Sequence, residues 1–191
     1  RGKGVLIIKG GPGTGKSVIA INLMARLLRE GRNVHYVTGS RAFTQTLRKV
    51  VGRRGSAQFK YFNSYTGQSS ELIEIMIADE AHRIRMTSNS RFTPKEKRSS
   101  VAQIDELLGS SRLSVFLIDD DQVVRPNEIG SVAYIKQAAQ KRQLPIEEYS
   151  LEAQFRCGGS DGFLNWVDNS LEIRRTANII WEGAEAFEFK I

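Results

Sequence analysis

The stretch Gly10-Gly11-Pro12-Gly13-Thr14-Gly15-Lys16-Ser17 decides how the rest of the sequence is interpreted. It fits the pattern G-x-x-x-x-G-K-[ST] in full, and it lies between a short apolar run, 4–9, and a segment without Gly or Pro, 17–30. The first is predicted to be a buried strand and the second a helix. Glycines let backbone N–H groups turn towards an anion, and the following helix points its positive end at the same place. The sequence therefore predicts a phosphate-binding loop.

An acidic cluster follows a second apolar run, 73–78, and reads Asp79-Glu80-Ala81-His82. Carboxylates at the C-terminal end of a buried strand lie where α/β sheets bind ligands. We expect Asp79, together with the Ser17 hydroxyl, to hold Mg²⁺, and Glu80 to polarise the water that attacks a γ-phosphate. The plain alternative is an acidic start to a helix. His82 either links the nucleotide site to a neighbouring element or caps a turn.

A third cluster, Asp119-Asp120-Asp121-Gln122, ends the apolar run 113–118. Adjacent residues on an extended chain point in opposite directions, which disfavours a metal site made of all three carboxylates. We expect one carboxylate and the Gln122 amide to face the nucleotide. An amide at that place can sense the γ-phosphate without adding negative charge.

Lys16 is placed to reach the β and γ phosphates of a nucleoside triphosphate, and the expected nucleotide is ATP. The residues expected to bind it are Gly11, Pro12, Gly13, Thr14, Gly15, Lys16, Ser17 and Asp79.

Predicted strands and helices alternate along the chain. The strands are 4–9, 33–38, 58–62, 73–78, 113–118 and 147–151, and the helices are 17–30, 40–51, 101–108, 130–142 and 161–171. This alternation predicts an α/β fold with a parallel sheet and right-handed crossovers. A basic turn is expected at 52–55 and a mobile loop at 83–100.

The composition narrows the partners and the compartment. The net charge is +7, from 28 Lys and Arg against 21 Asp and Glu. A basic excess favours polyanions such as nucleic acid, although a merely solvated basic surface would have the same charge.

A single cysteine excludes an intrachain disulfide and fits a reducing compartment. No apolar run approaches the roughly 18 residues of a membrane span, so a cytoplasmic location is predicted. Because the chain begins at Arg1 and stops abruptly at Ile191, we expect a piece of a longer protein.

Taken together with Leu151-Glu152-Ala153-Gln154-Phe155-Arg156-Cys157, these blocks resemble the N-terminal motor core of superfamily 1 (UvrD/Rep-like) helicases. The likeness is greatest to the bacterial Schlafen-type DNA/RNA helicase-like domain. Asp-Glu-Ala-His alone would also suit superfamily 2, but those enzymes carry a Ser-Ala-Thr third motif, unlike 119–122. The resemblance implies a P-loop NTPase (RecA-like) three-layer αβα domain with a mainly parallel central sheet over 1–148. It implies the start of a second, truncated RecA-like domain over 149–191.

The resemblance also implies roles for particular residues. The arginine of the fourth motif contacts the γ-phosphate, so the implied catalytic set is Lys16, Glu80, Gln122 and Arg156. Two further blocks match family motifs that touch single-stranded nucleic acid. Their residues are Thr38, Gly39, Ser40, Arg41, Phe62, Asn63 and Ser64. For both blocks, a strand-to-helix turn without ligand is the alternative.

Three functions are consistent with this sequence. The first is an ATPase motor that acts on single-stranded DNA or RNA; strand separation is not expected, because room for the accessory subdomain and the later motifs are lacking between residues 1 and 191. The second is a nucleotide-gated regulatory or scaffold module with little hydrolysis and no nucleic acid. The third is a small-molecule kinase, which an arginine-rich acceptor lid would indicate.

Overall fold

The computed structural model describes residues 2–67, 73–89, 93–122, 126–151 and 175. Within them the strands are β1 (Gly4–Gly10), β2 (Val34–Thr38), β3 (Phe59–Tyr61), β4 (Ile73–Asp79), β5 (Ser111–Ile118) and β6 (Ile146–Leu151). The helices are α1 (Lys16–Arg29), α2 (Arg41–Ser56), α3 (Gln103–Ser110) and α4 (Val132–Lys141).

The six strands form one sheet in the order β3-β2-β4-β5-β1-β6. Four neighbouring pairs, β2–β3, β2–β4, β4–β5 and β1–β5, are parallel. Their carboxyl ends are in register, because Thr38 of β2 lies beside both Tyr61 and Asp79. This layout confirms the predicted α/β fold, and it brings Thr38 and Asp79 side by side at one edge of the sheet.

The core lies in the central strands, which read as continuous apolar runs because both faces are covered. Ile7, Tyr36, Ile77 and Phe116 are all fully buried. Helix α1 packs against β2, β4 and β5, while α3 packs against β5 and α4. Burial of these side chains from water is the main favourable contribution to the stability of the sheet.

Helix α2 departs from the sequence expectation. A helix was predicted to stop near residue 51 with a basic turn at 52–55, whereas α2 continues to Ser56. Gly52 interrupts it with φ 71° and ψ −174°, a conformation that favours glycine. The break in the helix therefore falls at Gly52, where the predicted helix gave way to a turn, and helical hydrogen bonding resumes beyond this residue.

The predicted loop 83–100 is tied down where the structure describes it. Asn89 Nδ2 donates to Ser99 O (2.7 Å), and Ser99 N donates back to Asn89 Oδ1 (3.0 Å). The loop is also anchored to α3 through Ser88, and the segment before β4 is anchored to the same residue of α3 through Gly67. Glu106 accepts hydrogen bonds from Gly67 N (3.1 Å) and the Ser88 hydroxyl, although its side chain is buried.

The chain divides into two compact units, Arg1–Gly10 with Lys16–Ser150, and Gly11–Gly15 with Leu151–Ile191. The predicted domain boundary at 148/149 falls within β6. The second predicted domain, with the helix at 161–171, lies almost wholly outside the described residues, so that boundary stays a prediction. None of the helices in the described ranges has the length and apolar character needed to cross a membrane.

Candidate nucleotide and nucleic-acid site

The phosphate-binding loop leads from the end of β1 to the start of α1. Gly13 and Gly15 have φ values of 82° and 79°, which side chains with a Cβ disfavour. The Thr14 N–H (3.4 Å) and hydroxyl (2.9 Å) both donate to Gly11 O, so the loop makes its own turn. Glycines therefore stand where the backbone conformation requires them.

The lysine of this loop motif contacts one carboxylate of the third acidic cluster. Lys16 Nζ donates to Gly10 O (2.5 Å) and lies 3.8 Å from Asp119 Oδ2. Burial raises the pKa of Asp119, and the charge of Lys16 opposes that rise. Asp120 instead accepts from Val132 N (2.9 Å) at the start of α4, and Asp121 is exposed.

One carboxylate, that of Asp119, thus faces Lys16, and the three carboxylates are separated for a reason that differs from the predicted one. Residues 120–122 form a 3-10 turn rather than an extended chain, so the turn and the cap of α4 separate the three carboxylates. Gln122 lies in this turn, where its N–H donates to Asp119 O (3.3 Å).

The serine of the loop motif and the first acidic residue after β4 are in direct contact. The Ser17 hydroxyl donates to Asp79 Oδ2 (2.6 Å), and the Tyr36 hydroxyl donates to the same oxygen. Glu80 N donates to Asp79 Oδ1 (2.9 Å), which fixes the carboxylate from both sides. Burial, reinforced by Asp79, raises the pKa of Tyr36, so its hydroxyl stays a donor.

This pair fits Mg²⁺ chemically. Mg²⁺ prefers hard oxygen ligands and usually takes only one or two from the protein, with water and nucleotide phosphates completing the set. A hydroxyl and a carboxylate side by side supply such oxygens. Within the described ranges no group of three or more His, Cys, Asp and Glu side chains could hold a metal alone.

Glu80 has an unusual backbone and a basic neighbour. Its φ of 53° and ψ of 47° lie in the left-handed region. This conformation is energetically unfavourable for residues other than glycine, and it is concentrated at functional sites. Arg83 Nε lies 2.9 Å from Glu80 Oε2, and the Thr38 hydroxyl donates to that oxygen (3.4 Å). Burial raises the pKa of Glu80, while Arg83 opposes the rise.

His82 lies in the 3-10 turn Ala81–Arg83 and is buried, which lowers its pKa. Against this turn packs Gly130, whose N–H donates to Ile84 O (3.1 Å). A Cβ on Gly130 would lie 2.0 Å from Ala81 O and 2.9 Å from His82 Cα. The close approach of the two backbones holds the turn after β4 in place.

The two blocks predicted to face nucleic acid meet in one cavity of about 460 Å³. We call it the strand-end cavity, because it lies at the carboxyl ends of β2 and β3. It is lined by five of the seven predicted residues, Thr38, Gly39, Arg41, Phe62 and Asn63. Arg83 and Arg85 add two more cations to its wall. Aromatic and basic side chains in one cavity can bind bases and phosphates.

The other two predicted residues have local structural roles. Ser40 Oγ accepts from Phe43 N (3.4 Å) as the N-cap of α2. Ser64 Oγ accepts from Tyr61 N (3.1 Å) at the start of a 3-10 turn. Arg156 lies outside the described residues.

Sequence reasoning did not single out Tyr36, Arg83 or Arg85. A tyrosine inside a buried apolar strand was a usable signal, since a buried hydroxyl needs a partner. The two arginines stood in a charged segment that was predicted to be a loop, and nothing in their spacing separated them from other surface cations.

Comparisons with known proteins bear on the fold and the family. A family model described as Schlafen group 3, DNA/RNA helicase domain matches residues 3–191. The Pif1 helicase from Candida albicans is similar in structure, with a TM-score of 0.51 and 16% identity over 92% of this chain and 42% of that chain. No curated protein matches the sequence.

Two further solved structures match at lower TM-scores. Flagellar accessory protein FlaH from Methanocaldococcus jannaschii has a TM-score of 0.41 and 14% identity over 72% of this chain and 68% of that one. AMPPCP-bound DnaA from Aquifex aeolicus has a TM-score of 0.38 and 14% identity over 90% and 48%. The fold is that of P-loop NTPases, with a RecA-like αβα arrangement.

Proposed function

Because the chain belongs to the Schlafen group 3 DNA/RNA helicase domain family, we propose that it is an ATP-hydrolysing motor domain that acts on single-stranded nucleic acid. The observation that carries the proposal is the contact between Ser17 and Asp79, 62 residues apart. It places a hydroxyl oxygen of Ser17 beside a carboxylate oxygen of Asp79, and both are suited to Mg²⁺.

In this proposal the loop 11–15 and Lys16 bind the ATP phosphates, and Ser17 and Asp79 hold Mg²⁺. The ion, when bound, neutralises charge on the β and γ phosphates. Lys16 adds a fixed positive charge, and Asp119 keeps that ammonium oriented from a distance of 3.8 Å. Catalysis of phosphoryl transfer depends mostly on such positioning and charge stabilisation.

Glu80 is the proposed base that orients and polarises the attacking water. Its raised pKa and its place directly after Asp79 support this role. Gln122, beside Asp119, is proposed to sense the γ-phosphate, and Arg156 to contact it.

The strand-end cavity is the proposed binding surface for nucleic acid. Its arginines suit phosphates and the half-buried ring of Tyr61 suits a base, whereas Phe62 is buried in the core; the net charge of +7 is in keeping with such a surface. DNA and RNA both present the phosphates and bases that this chemistry recognises.

The ATPase part is tested with Glu80→Gln in the intact protein. ATP affinity, measured by calorimetry with Mg²⁺, is expected to change less than about threefold, whereas turnover falls by about 10² or more. Glu30→Gln, on the exposed end of α1, is the matched control and retains turnover. Unchanged turnover in Glu80→Gln rejects the mechanism.

The nucleic-acid part is tested by binding of labelled single-stranded DNA and RNA at several salt concentrations. A motor of this kind binds with a steep salt slope, and Arg85→Ala reduces the slope by about 0.7 for one lost phosphate contact. Arg26→Ala, an exposed charge outside the cavity, retains the slope. ATP binding with no nucleic-acid binding at any salt concentration favours instead the regulatory or scaffold module.

A further inference from the structure

The carboxylate of Glu80 is shared between the nucleotide site and the strand-end cavity. Its Oε2 forms an ion pair with Arg83 Nε at 2.9 Å, without hydrogen-bond geometry, and accepts a hydrogen bond from the Thr38 hydroxyl (3.4 Å); both of these residues line the cavity. On its other side, Glu80 N donates to Asp79, which touches Ser17. One side chain therefore lies between the two proposed binding sites.

The position of Arg83 is built into the fold. A Cβ on Gly39 would lie 2.7 Å from Arg83 Cβ and 3.1 Å from its Cδ, closer than real contacts allow. Gly39 is thus a glycine because the arginine stem lies against it. The end of β2 thus supplies the Thr38 hydroxyl that donates to Glu80 and, directly after it, the glycine against which Arg83 packs.

The Arg83–Glu80 ion pair is partly shielded from water, yet it is open enough for a ligand to replace one partner. The Arg83 and Glu80 side chains are 30% and 31% exposed. A partly dehydrated ion pair holds its geometry better than a fully exposed one. A guanidinium has five N–H donors and matches phosphate bidentately, so an anion in the cavity competes with the carboxylate for it.

We propose that Arg83 is a positioning residue that restrains Glu80 and releases it when a nucleic-acid phosphate enters the strand-end cavity. The proposal rests on the function proposed above, since it names how nucleic acid controls the same site. A carboxylate that shares an oxygen with a guanidinium is a poorer acceptor for the attacking water. When a phosphate takes the guanidinium, Glu80 retains only the Thr38 hydroxyl and becomes available to water.

The test compares ATP turnover of the intact protein without nucleic acid and with saturating single-stranded oligonucleotide. Arg83→Ala is expected to raise the basal rate about two- to fivefold, the range of a partly exposed ion pair, and to lower the ratio of stimulated to basal rate towards one. Arg83→Lys keeps the positive charge but lacks the planar guanidinium, so its basal rate is expected to fall between those of the parent and Arg83→Ala. Arg26→Ala, which breaks an exposed pair of the same kind on α1, keeps the ratio of the parent.

Gly39→Ala provides an independent variant if Arg83→Ala does not fold. The added Cβ displaces Arg83 without removing it, and the basal rate is again expected to rise. A basal rate that stays the same or falls in every folded variant overturns the inference. A parent protein that hydrolyses no ATP, or that nucleic acid never stimulates, overturns the proposed function instead, so the two failures are distinguishable.

Discussion

Gly130→Ala tests whether the close approach behind the acidic cluster is real. The new Cβ would lie 2.0 Å from Ala81 O, whereas ordinary contact begins at 3.4 Å, so the backbones must separate by about 1.4 Å along that line. Ile129 N and Gly130 N donate to Ile84 O at 2.8 and 3.1 Å. A separation of that size is expected to break at least one of these bonds.

The expected loss of stability follows from these two effects. Overpacking of a dense interior costs about 1–3 kcal/mol, and a lost hydrogen bond adds about 0.5–1.5 kcal/mol. The free energy of unfolding of Gly130→Ala is therefore expected to fall by about 2–4 kcal/mol. Urea denaturation followed by circular dichroism measures it through the shift in the midpoint at constant slope.

Gly109→Ala is the matched control, because it makes the same chemical change with room to spare. Gly109 lies in α3, and the nearest atom to its Cβ would be Arg142 Nη1 at 3.9 Å. Replacing a helical glycine is expected to stabilise by about 0.5–1 kcal/mol. The reasoning is refuted if Gly130→Ala is as stable as the parent while the control behaves as expected.

Three further substitutions have defined outcomes in the same denaturation assay. Glu106→Ala removes the acceptor of one buried and one partly buried hydrogen bond and is expected to cost about 2–4 kcal/mol, with equal stability contradicting the network. Tyr36→Phe removes one donor to Asp79 at constant shape and is expected to cost about 1.5–3 kcal/mol, whereas no loss would mean that the bond is not formed. Burial, aided by Lys60, lowers the pKa of His35 to about 4 from 6.5. The unfolded chain therefore takes up the proton first, and stability falls as the pH drops from about 6.5 to about 4. His35→Gln is expected to remove about 1–2 kcal/mol of that pH dependence, after allowance for solvent screening, and an unchanged profile would contradict the assignment.

The sequence predicted most of the sheet because the central strands β1, β4 and β5 are largely apolar runs that end at or directly before a glycine or a carboxylate. The phosphate-binding loop was predictable for the same local reason, since its glycines are required by the backbone itself. Strand ends also indicated Asp79, Glu80 and the 119–122 cluster. All of these signals depend on residues that are near each other in the chain.

The contacts that complete the site are long-range and were not predictable. Tyr36 and Asp79 are 43 positions apart, and although a buried tyrosine hydroxyl needs a partner, nothing local identifies Asp79 as that partner. Gln103 and Glu106 are polar side chains on α3, yet both are buried. Gln103 accepts from Arg85 N and Glu106 accepts from Gly67 N, so they bind the segments after and before β4 rather than water. A helical periodicity would have placed them on the solvent face.

The register of β2 against β4 keeps the two proposed binding sites close together. Thr38 and Asp79 are direct neighbours across adjacent strands, which lie about 4.8 Å apart. Under the proposed function, coupling between nucleic acid and ATP then needs no relay through the core and no movement of whole helices. A displacement the size of one side chain suffices. The coupling strength of such a device can be retuned by single substitutions at the ends of two neighbouring strands, while the rest of the sheet remains a passive frame.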